Sequence, residues 1–224
     1  MFSPMENRAL TSIIARPDGL GYDPELACSH LSTADPVMGA LIERVGEFTM
    51  RPEPTHSLFQ ALARSIVYQQ LSGRAAGTIL GRVKRLFAPK RFPTPRDLLE
   101  IPSEHLRAAG LSTAKTAALK DLAARALDGT VPSLSRVRLM ADDDIIEHLT
   151  AVRGIGRWTV EMLLIFKLGR PDVLPVGDLG VRKGFALTLG KRKLPEAPIM
   201  TRRAERWRPY RSVASWYLWR ALEL

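Results

Sequence analysis

A glycine-bracketed turn between two amphipathic segments constrains the fold of this chain more than any other stretch. Val152-Arg153-Gly154-Ile155-Gly156 interrupts a helical pattern that runs on both sides of it. Upstream, Ile145, Ile146, Leu149 and Val152 recur at the spacing of one helix face, behind Asp142, Asp143 and Asp144, residues that helix starts favour. Downstream, Trp158, Met162, Ile165 and Phe166 form a second apolar stripe. Gly154 and Gly156 suit a tight reversal that needs positive φ or close approach to the backbone. The second helix of such a hairpin offers bare N–H groups and partial positive charge at its start, which suit a phosphate. An ordinary helical hairpin with a glycine cap carries the same G-x-G pattern, so the turn alone leaves both readings open.

A second feature follows about twenty residues on, counted in helical turns of about 3.6 residues. Pro175-Val176-Gly177-Asp178 leads into another helical segment, with the carboxylate at its head. Such an aspartate is either a simple N-cap or, near a reacting sugar, a group that stabilises developing positive charge. A helix start also favours the ionised form of the carboxylate.

The rest of the chain reads as helices too. Helical signals begin near Pro24, and Asp35-Pro36 opens a second segment with Val37, Leu41, Ile42 and Val45 on one face. Arg51-Pro52-Glu53-Pro54 reads as a stiff linker, and Leu58, Leu62 and Ile66 resume the pattern. Thr94-Pro95 and Pro102-Ser103 predict helix starts, Gly110 and Gly129 helix stops, and 114–127 is an alanine-rich helix former. Few segments alternate with period two, so the fold class is all-α. The 224 residues suffice for one domain or two small lobes.

Charge narrows the partners. Residues 151–224 carry 15 basic and 6 acidic side chains, most of the excess of the whole chain. A field concentrated on the half holding the hairpin and Asp178 is the footprint of nucleic-acid binding, although charge alone equally fits an RNA binder or a merely basic soluble protein. One cysteine, Cys28, excludes an internal disulfide and any four-cysteine cluster. No apolar run reaches membrane-spanning length and the N-terminus lacks a signal-peptide core, so an intracellular, soluble protein is expected. His30, His56, His105 and His148 are scattered without metal-ligand spacing.

The combined pattern is more specific than its parts. Leu149-x-x-Val152-x-Gly154-Ile155-Gly156-x-Trp158-Thr159 followed by Pro175-Val176-Gly177-Asp178 resembles the helix-hairpin-helix DNA glycosylase superfamily, and within it the 3-methyladenine DNA glycosylase II (AlkA-like) branch. Tyr68-Gln69-Gln70-Leu71-Ser72, Gly110-Leu111-Ser112 and Trp207-Arg208-Pro209-Tyr210-Arg211-Ser212 extend the resemblance from about His30 to the C-terminus. It implies a two-lobed all-α fold with the active-site cleft between lobes, in the compact form without an N-terminal β domain. The expected division is a loose extension over 1–22, one lobe over 57–150, and a second from 23–56 with 151–224.

The resemblance also implies roles. Asp178 falls at the position of the family's catalytic aspartate. Bifunctional relatives, such as endonuclease III and 8-oxoguanine glycosylase, place a lysine nucleophile just after the hairpin; Trp158 occupies that slot here, which implies a monofunctional enzyme using water. Trp158, Met162 and Trp219 are the implied base pocket, Met162 standing where some relatives have tyrosine, and Trp216 and Tyr217 would add aromatic surface. Electron-rich rings attract cationic alkylated purines. Gln70 or Leu71 would fill the hole left by a flipped base, unless both simply end a helix inside the lobe. Arg153, Gly154, Gly156, Arg157, Arg182, Lys183 and Arg211 are candidate DNA contacts. The carbonyls of Thr150, Val152 and Gly154 match positions where the family's hairpin holds a monovalent cation, Na+ or K+; no iron–sulfur cluster is expected. The expected partner is double-stranded DNA carrying 3-methyladenine- or 7-methylguanine-type lesions, met by a monomer in a nucleoid or nucleus. Uracil, deaminated or oxidised bases remain alternative substrates, and a non-catalytic hairpin module that only grips DNA is the alternative of a different class.

Overall fold

The computed structural model describes residues 19–224, and every regular element among them is helical, as the periodicity predicts. Short polar side chains decide where most of the helices begin. Asp23 caps α1 (Pro24–Ala34) and Asp35 caps α2 (Pro36–Val45), each followed by a proline that is preorganised for the first helical position. Ser57 and Ser72 cap α3 (Leu58–Tyr68) and α4 (Gly73–Arg85). Thr94 and Asp97 form a reciprocal capping box at α5 (Pro95–Glu100), which is followed by α6 (Ser103–Ala108). Ser112 opens α7 (Thr113–Leu127) and Ser133 opens α8 (Leu134–Leu139). The expected stops Gly110 and Gly129 sit at φ 108° and 86°, the left-handed region that favours glycine. At α9 (Asp142–Thr150) no side chain caps the start; Asp142, Asp143 and Asp144 lie in the first turn, where their charge meets the helix dipole. The chain ends with α10 (Arg157–Phe166), α11 (Leu179–Thr188), α12 (Ala197–Ala204) and α13 (Arg211–Arg220).

The chain divides into two compact units. One is Thr55–Val160; the other takes the chain up to Pro54 together with Glu161–Leu224. The expected boundary at 150 therefore moves ten residues on, which puts α9 and the glycine turn in the first unit and the boundary inside α10 (Arg157–Phe166). The reason is burial and bonding: Leu149, Val152 and Ile155 are buried, and the Arg153 N–H donates to Asp121 of α7 at 2.7 Å. The first unit closes its core with Leu62, Ile66, Leu106, Leu119, Leu122 and Ile145, all withdrawn from solvent. Burying a side chain of this kind contributes about 1.5–3 kcal/mol.

In the second unit Leu31, Met38, Phe185, Trp207 and Tyr217 are the large core side chains. The expected loose segment 1–22 falls mostly outside the described residues, but Leu20 and Tyr22 are buried, so the packed chain starts before Asp23. α2 is rotated from the expected face: Met38 and Leu41 point inward while Val37 is exposed. Gly39 sets this rotation, since a Cβ there would lie 3.2 Å from the Cα of Ser32 on α1. The supposed linker at 51–54 is tied down, with Glu53 N–H donating to the Phe166 carbonyl at 2.8 Å and its carboxylate paired with Lys167. Asp35 is fully buried and accepts from Arg203 at 2.6 and 3.1 Å and from the Trp207 indole at 3.0 Å. That is the arrangement a buried carboxylate requires.

Candidate active site

The packing of α11 on α13 builds the site. Gly180 and Gly184 stand one turn apart on α11 and therefore share a face. A Cβ at Gly180 would come within 2.7 Å of Trp219 Cδ1, 3.0 Å of its Nε1 and 3.1 Å of Asp178 Oδ1; one at Gly184 would collide with the Leu218 carbonyl. Two bare positions thus let α13 approach closely enough for Trp219 to reach the head of α11. There the Trp219 indole N–H donates to Asp178 Oδ1 at 2.8 Å, and the Val181 N–H of the first turn donates to the same oxygen at 2.8 Å. The half-buried Asp178 is an N-cap, at φ −73° and ψ 125°, and also an oriented carboxylate: two donors on one oxygen fix its plane. Phe166, at the end of α10, stacks on Trp219 with ring centroids 5.4 Å apart and planes 30° apart.

The other aromatic candidates divide. Trp158 is 51 % exposed, too open to be a core tryptophan, and the half-buried Met162 follows one turn later on α10. Trp216 and Tyr217 do not add surface. Both are buried, Trp216 packs edge-on against Phe48 at 4.8 Å, and the Tyr217 hydroxyl donates to the Gly46 carbonyl at 3.0 Å. Successive residues of a helix point about 100° apart, and here both directions from α13 meet core. Burial pushes the Tyr217 phenol far above its usual range and raises the Cys28 thiol beside it, so neither supplies a nucleophile near neutral pH.

The hairpin has the expected geometry at Gly154 but not at Gly156. Gly154 is left-handed at φ 77°, and α10 starts directly after Gly156. Gly156 does not have positive φ, and a Cβ there would meet nothing within 4 Å. The fold itself places no demand for glycine at this position. Arg153 and Arg157 are exposed around the turn, Arg157 lying 3.9 Å from Asp143, and Lys183 is exposed on α11. Arg211, by contrast, is engaged within the protein: its guanidinium pairs with Asp172 at 2.7 and 3.0 Å, and its side chain is only 13 % exposed. Arg182 is also engaged, donating to the Pro195 carbonyl at 3.1 and 3.3 Å.

Two of the three carbonyls expected to hold a monovalent cation also accept hydrogen bonds within the protein. The Gly154 oxygen accepts the Gln69 side-chain amide at 2.8 Å, and the Val152 oxygen accepts the Ile155 N–H at 3.0 Å. Among the described residues no cluster of His, Cys, Asp and Glu could hold a metal, and no helix is long and apolar enough to cross a membrane. Gln70 is exposed at φ 55°, the one non-glycine residue in the left-handed region among those described, and Leu71 beside it is 39 % exposed.

Sequence reasoning missed Phe166 as a ring against Trp219, and it missed Gly180 and Gly184. The four-residue spacing of the two glycines was the available signal for a close helix contact.

Comparison with known proteins agrees with this geometry. Residues 63–209 match the family described as HhH-GPD superfamily base excision DNA repair protein. The chain is 36 % identical over 200 residues to DNA-3-methyladenine glycosylase 1 of Schizosaccharomyces pombe, covering 87 % of this chain and 86 % of that protein. Among solved structures, the S. pombe 3-methyladenine DNA glycosylase in complex with abasic DNA superposes with a TM-score of 0.76 at 35 % identity, covering 89 % of this chain and 97 % of the other. A DNA-3-methyladenine glycosidase from Bacillus halodurans superposes with a TM-score of 0.79 at 34 % identity, covering 87 % and 88 %.

Proposed function

We propose, from the premise that the chain belongs to the HhH-GPD superfamily of base excision DNA repair proteins, that it is a monofunctional DNA glycosylase releasing alkylated purines. The observation that carries this reading is the Asp178 carboxylate, held in one orientation by Trp219 and Val181. Breaking an N-glycosidic bond develops positive charge on the sugar, as in other glycoside hydrolyses. A preoriented carboxylate stabilises that charge without reorganisation and directs the attacking water. A module that only gripped DNA would have no use for a carboxylate on a basic unit, where it opposes phosphate binding.

N3- or N7-alkylated purines leave as neutral bases once the bonding electrons return to the ring, so no general acid is needed. Binding rests on the exposed turn at Gly154–Gly156: open space around Gly156 suits a phosphate at the head of α10. Arg153, Arg157 and Lys183 are exposed cations that supply charge, and Met162 and Trp219 are assigned to recognition of the base. The direct test is base release from duplexes carrying defined lesions. Release of 3-methyladenine or 7-methylguanine should far exceed release of uracil or undamaged purines; faster release of uracil would overturn the substrate class.

Since Trp158 stands where a lysine would attack, the product should keep an intact abasic site until heat or alkali breaks it. A protein–DNA adduct trapped by borohydride during turnover would contradict this.

Trp219 combines a ring and an N–H, and the two separate by substitution. Trp219→Phe keeps an aromatic face and loses the bond to Asp178, so release of cationic and neutral bases should fall together. Trp219→Ala also removes the stacking surface, and release of 3-methyladenine should then fall about three- to ten-fold further than that of hypoxanthine, the size of one cation–π contact. The measurement is the ratio of single-turnover rates for the two bases; an unchanged ratio removes Trp219 from the pocket.

A further inference from the structure

Two of the left-handed turns in the Thr55–Val160 unit, at Gln70 and at Gly154, are joined to each other by a single residue. The Gln69 side-chain amide donates to the Gly154 carbonyl at 2.8 Å across 85 positions, and its backbone leads directly into Gln70. On the other side of the same turn, Lys115 Nζ donates to the carbonyls of Val67 and Gln69 at 2.8 and 2.7 Å. Those are orphan carbonyls at the end of α3, and a cation there is well placed. Burial pulls the Lys115 ammonium below its usual range, so the bonds are made by a partly desolvated donor. Ser72 then caps α4 and fixes the exit of the turn.

We propose that Gln69 and Lys115 are positioning residues for base flipping: they clamp the exposed Gln70 at a fixed place relative to the phosphate-binding hairpin. The inference rests on the glycosylase reading above and on Gln70 being the side chain that enters the duplex. A non-glycine residue in left-handed backbone persists only where its surroundings over-determine it, and such strain gathers at working sites. Here the surroundings are a cation on two carbonyls and an amide on the hairpin. A wedge must fill the hole left by a departing base at a set distance from the gripped phosphate. A mobile loop would lose much of that effect to ordering, whereas a clamped turn has its geometry beforehand. The clamp acts from behind Gln70, through backbone and carbonyl groups.

The test uses the full chain with Gln69→Ala and the isosteric Gln69→Glu, which keeps the size but lacks the donor to Gly154. Flipping is read by 2-aminopurine fluorescence at the target position, grip by anisotropy on an undamaged duplex, and fold by circular dichroism and thermal melting. Both variants should fold, bind undamaged duplex within about three-fold of wild type, and lose about ten-fold in flipping and single-turnover release, the scale of one hydrogen bond. In a Gln70→Ala background, Gln69→Ala should cost nothing further, because the clamp has nothing left to position. Lys115→Met should mimic Gln69→Ala, and Lys115→Arg should restore part of the loss.

Full flipping by both Gln69 variants while Gln70→Ala loses it would overturn the proposal. An additive loss in the double variant, or an equal loss of duplex grip, would overturn it in favour of a merely structural contact. Wild-type flipping by Gln70→Ala would sink both the wedge assignment and the clamp, while leaving base release by the wild type untouched. Absence of any base release by the wild type would be failure of the glycosylase reading itself.

Discussion

Asp178→Asn should reduce base release by about 10³-fold or more while duplex binding persists or tightens. Asparagine is nearly isosteric, and its side-chain oxygen can still accept from Val181 N–H and the Trp219 indole, so the head of α11 keeps its geometry. What disappears is the charge. The sugar cation then loses its stabilising partner, and the attacking water loses its orienting base. Removing a negative charge close to DNA phosphates also relieves repulsion, which strengthens binding most at low salt. The check is single-turnover release from alkylated duplex beside a binding isotherm on the same DNA. Base release comparable to wild type would remove Asp178 from catalysis; loss of binding would mean that the substitution broke the fold.

The second large effect is expected two residues away, without touching a charged group. Gly180→Ala introduces a methyl group where Trp219 Cδ1 would lie at 2.7 Å, so the indole must move. Its N–H then leaves Asp178 Oδ1, and the carboxylate keeps only the Val181 bond of the two described. Misplacing a catalytic group by about an ångström costs on the order of 10²-fold in rate. Stability should fall modestly, because a side chain at the surface of the contact can give way. Gly184→Ala is the reverse case. Its methyl meets the backbone carbonyl of Leu218, which cannot rotate aside, so α11 and α13 must separate. Overpacking of this kind costs about 1–3 kcal/mol. For a chain of this size that lowers Tm by roughly 3–10 °C. Melting curves and single-turnover rates on the pair therefore separate two functions of one helix face. Equal behaviour of the two variants would contradict the geometry.

What the sequence reveals is mainly local. The G-x-G turn, the helix starts at Asp35, Thr94 and Ser103, and the stops at Gly110 and Gly129 depend on residues within one turn of each other, so pattern and propensity suffice. The position of Asp178 is legible for the same reason. What pattern does not convey is which distant group claims a side chain. Arg211 resembles any exposed arginine until Asp172, 39 positions earlier, is folded against it. Trp216, Tyr217 and Trp219 are equivalent as letters, yet two are interior and the third, at the end of the helix, reaches Asp178 across 41 positions. Nothing near the Gly154 carbonyl in sequence announces that the Gln69 amide, 85 positions earlier, donates to it.

The buried Asp35 carboxylate has a consequence for the order in which the chain can assemble. Its hydrogen-bond donors, the Arg203 guanidinium and the Trp207 indole, arrive roughly 170 residues later in synthesis. Until they emerge, the carboxylate has to stay hydrated, because an ionised group stripped of both water and donors is costly. Helices α1 and α2 therefore wait. The Thr55–Val160 unit is continuous in sequence, so all of its residues are made before those of the last helices. Vectorial synthesis thus delivers the unit that holds the DNA-gripping turn first, and leaves the unit that carries the Asp178 carboxylate to be closed by the last helix made.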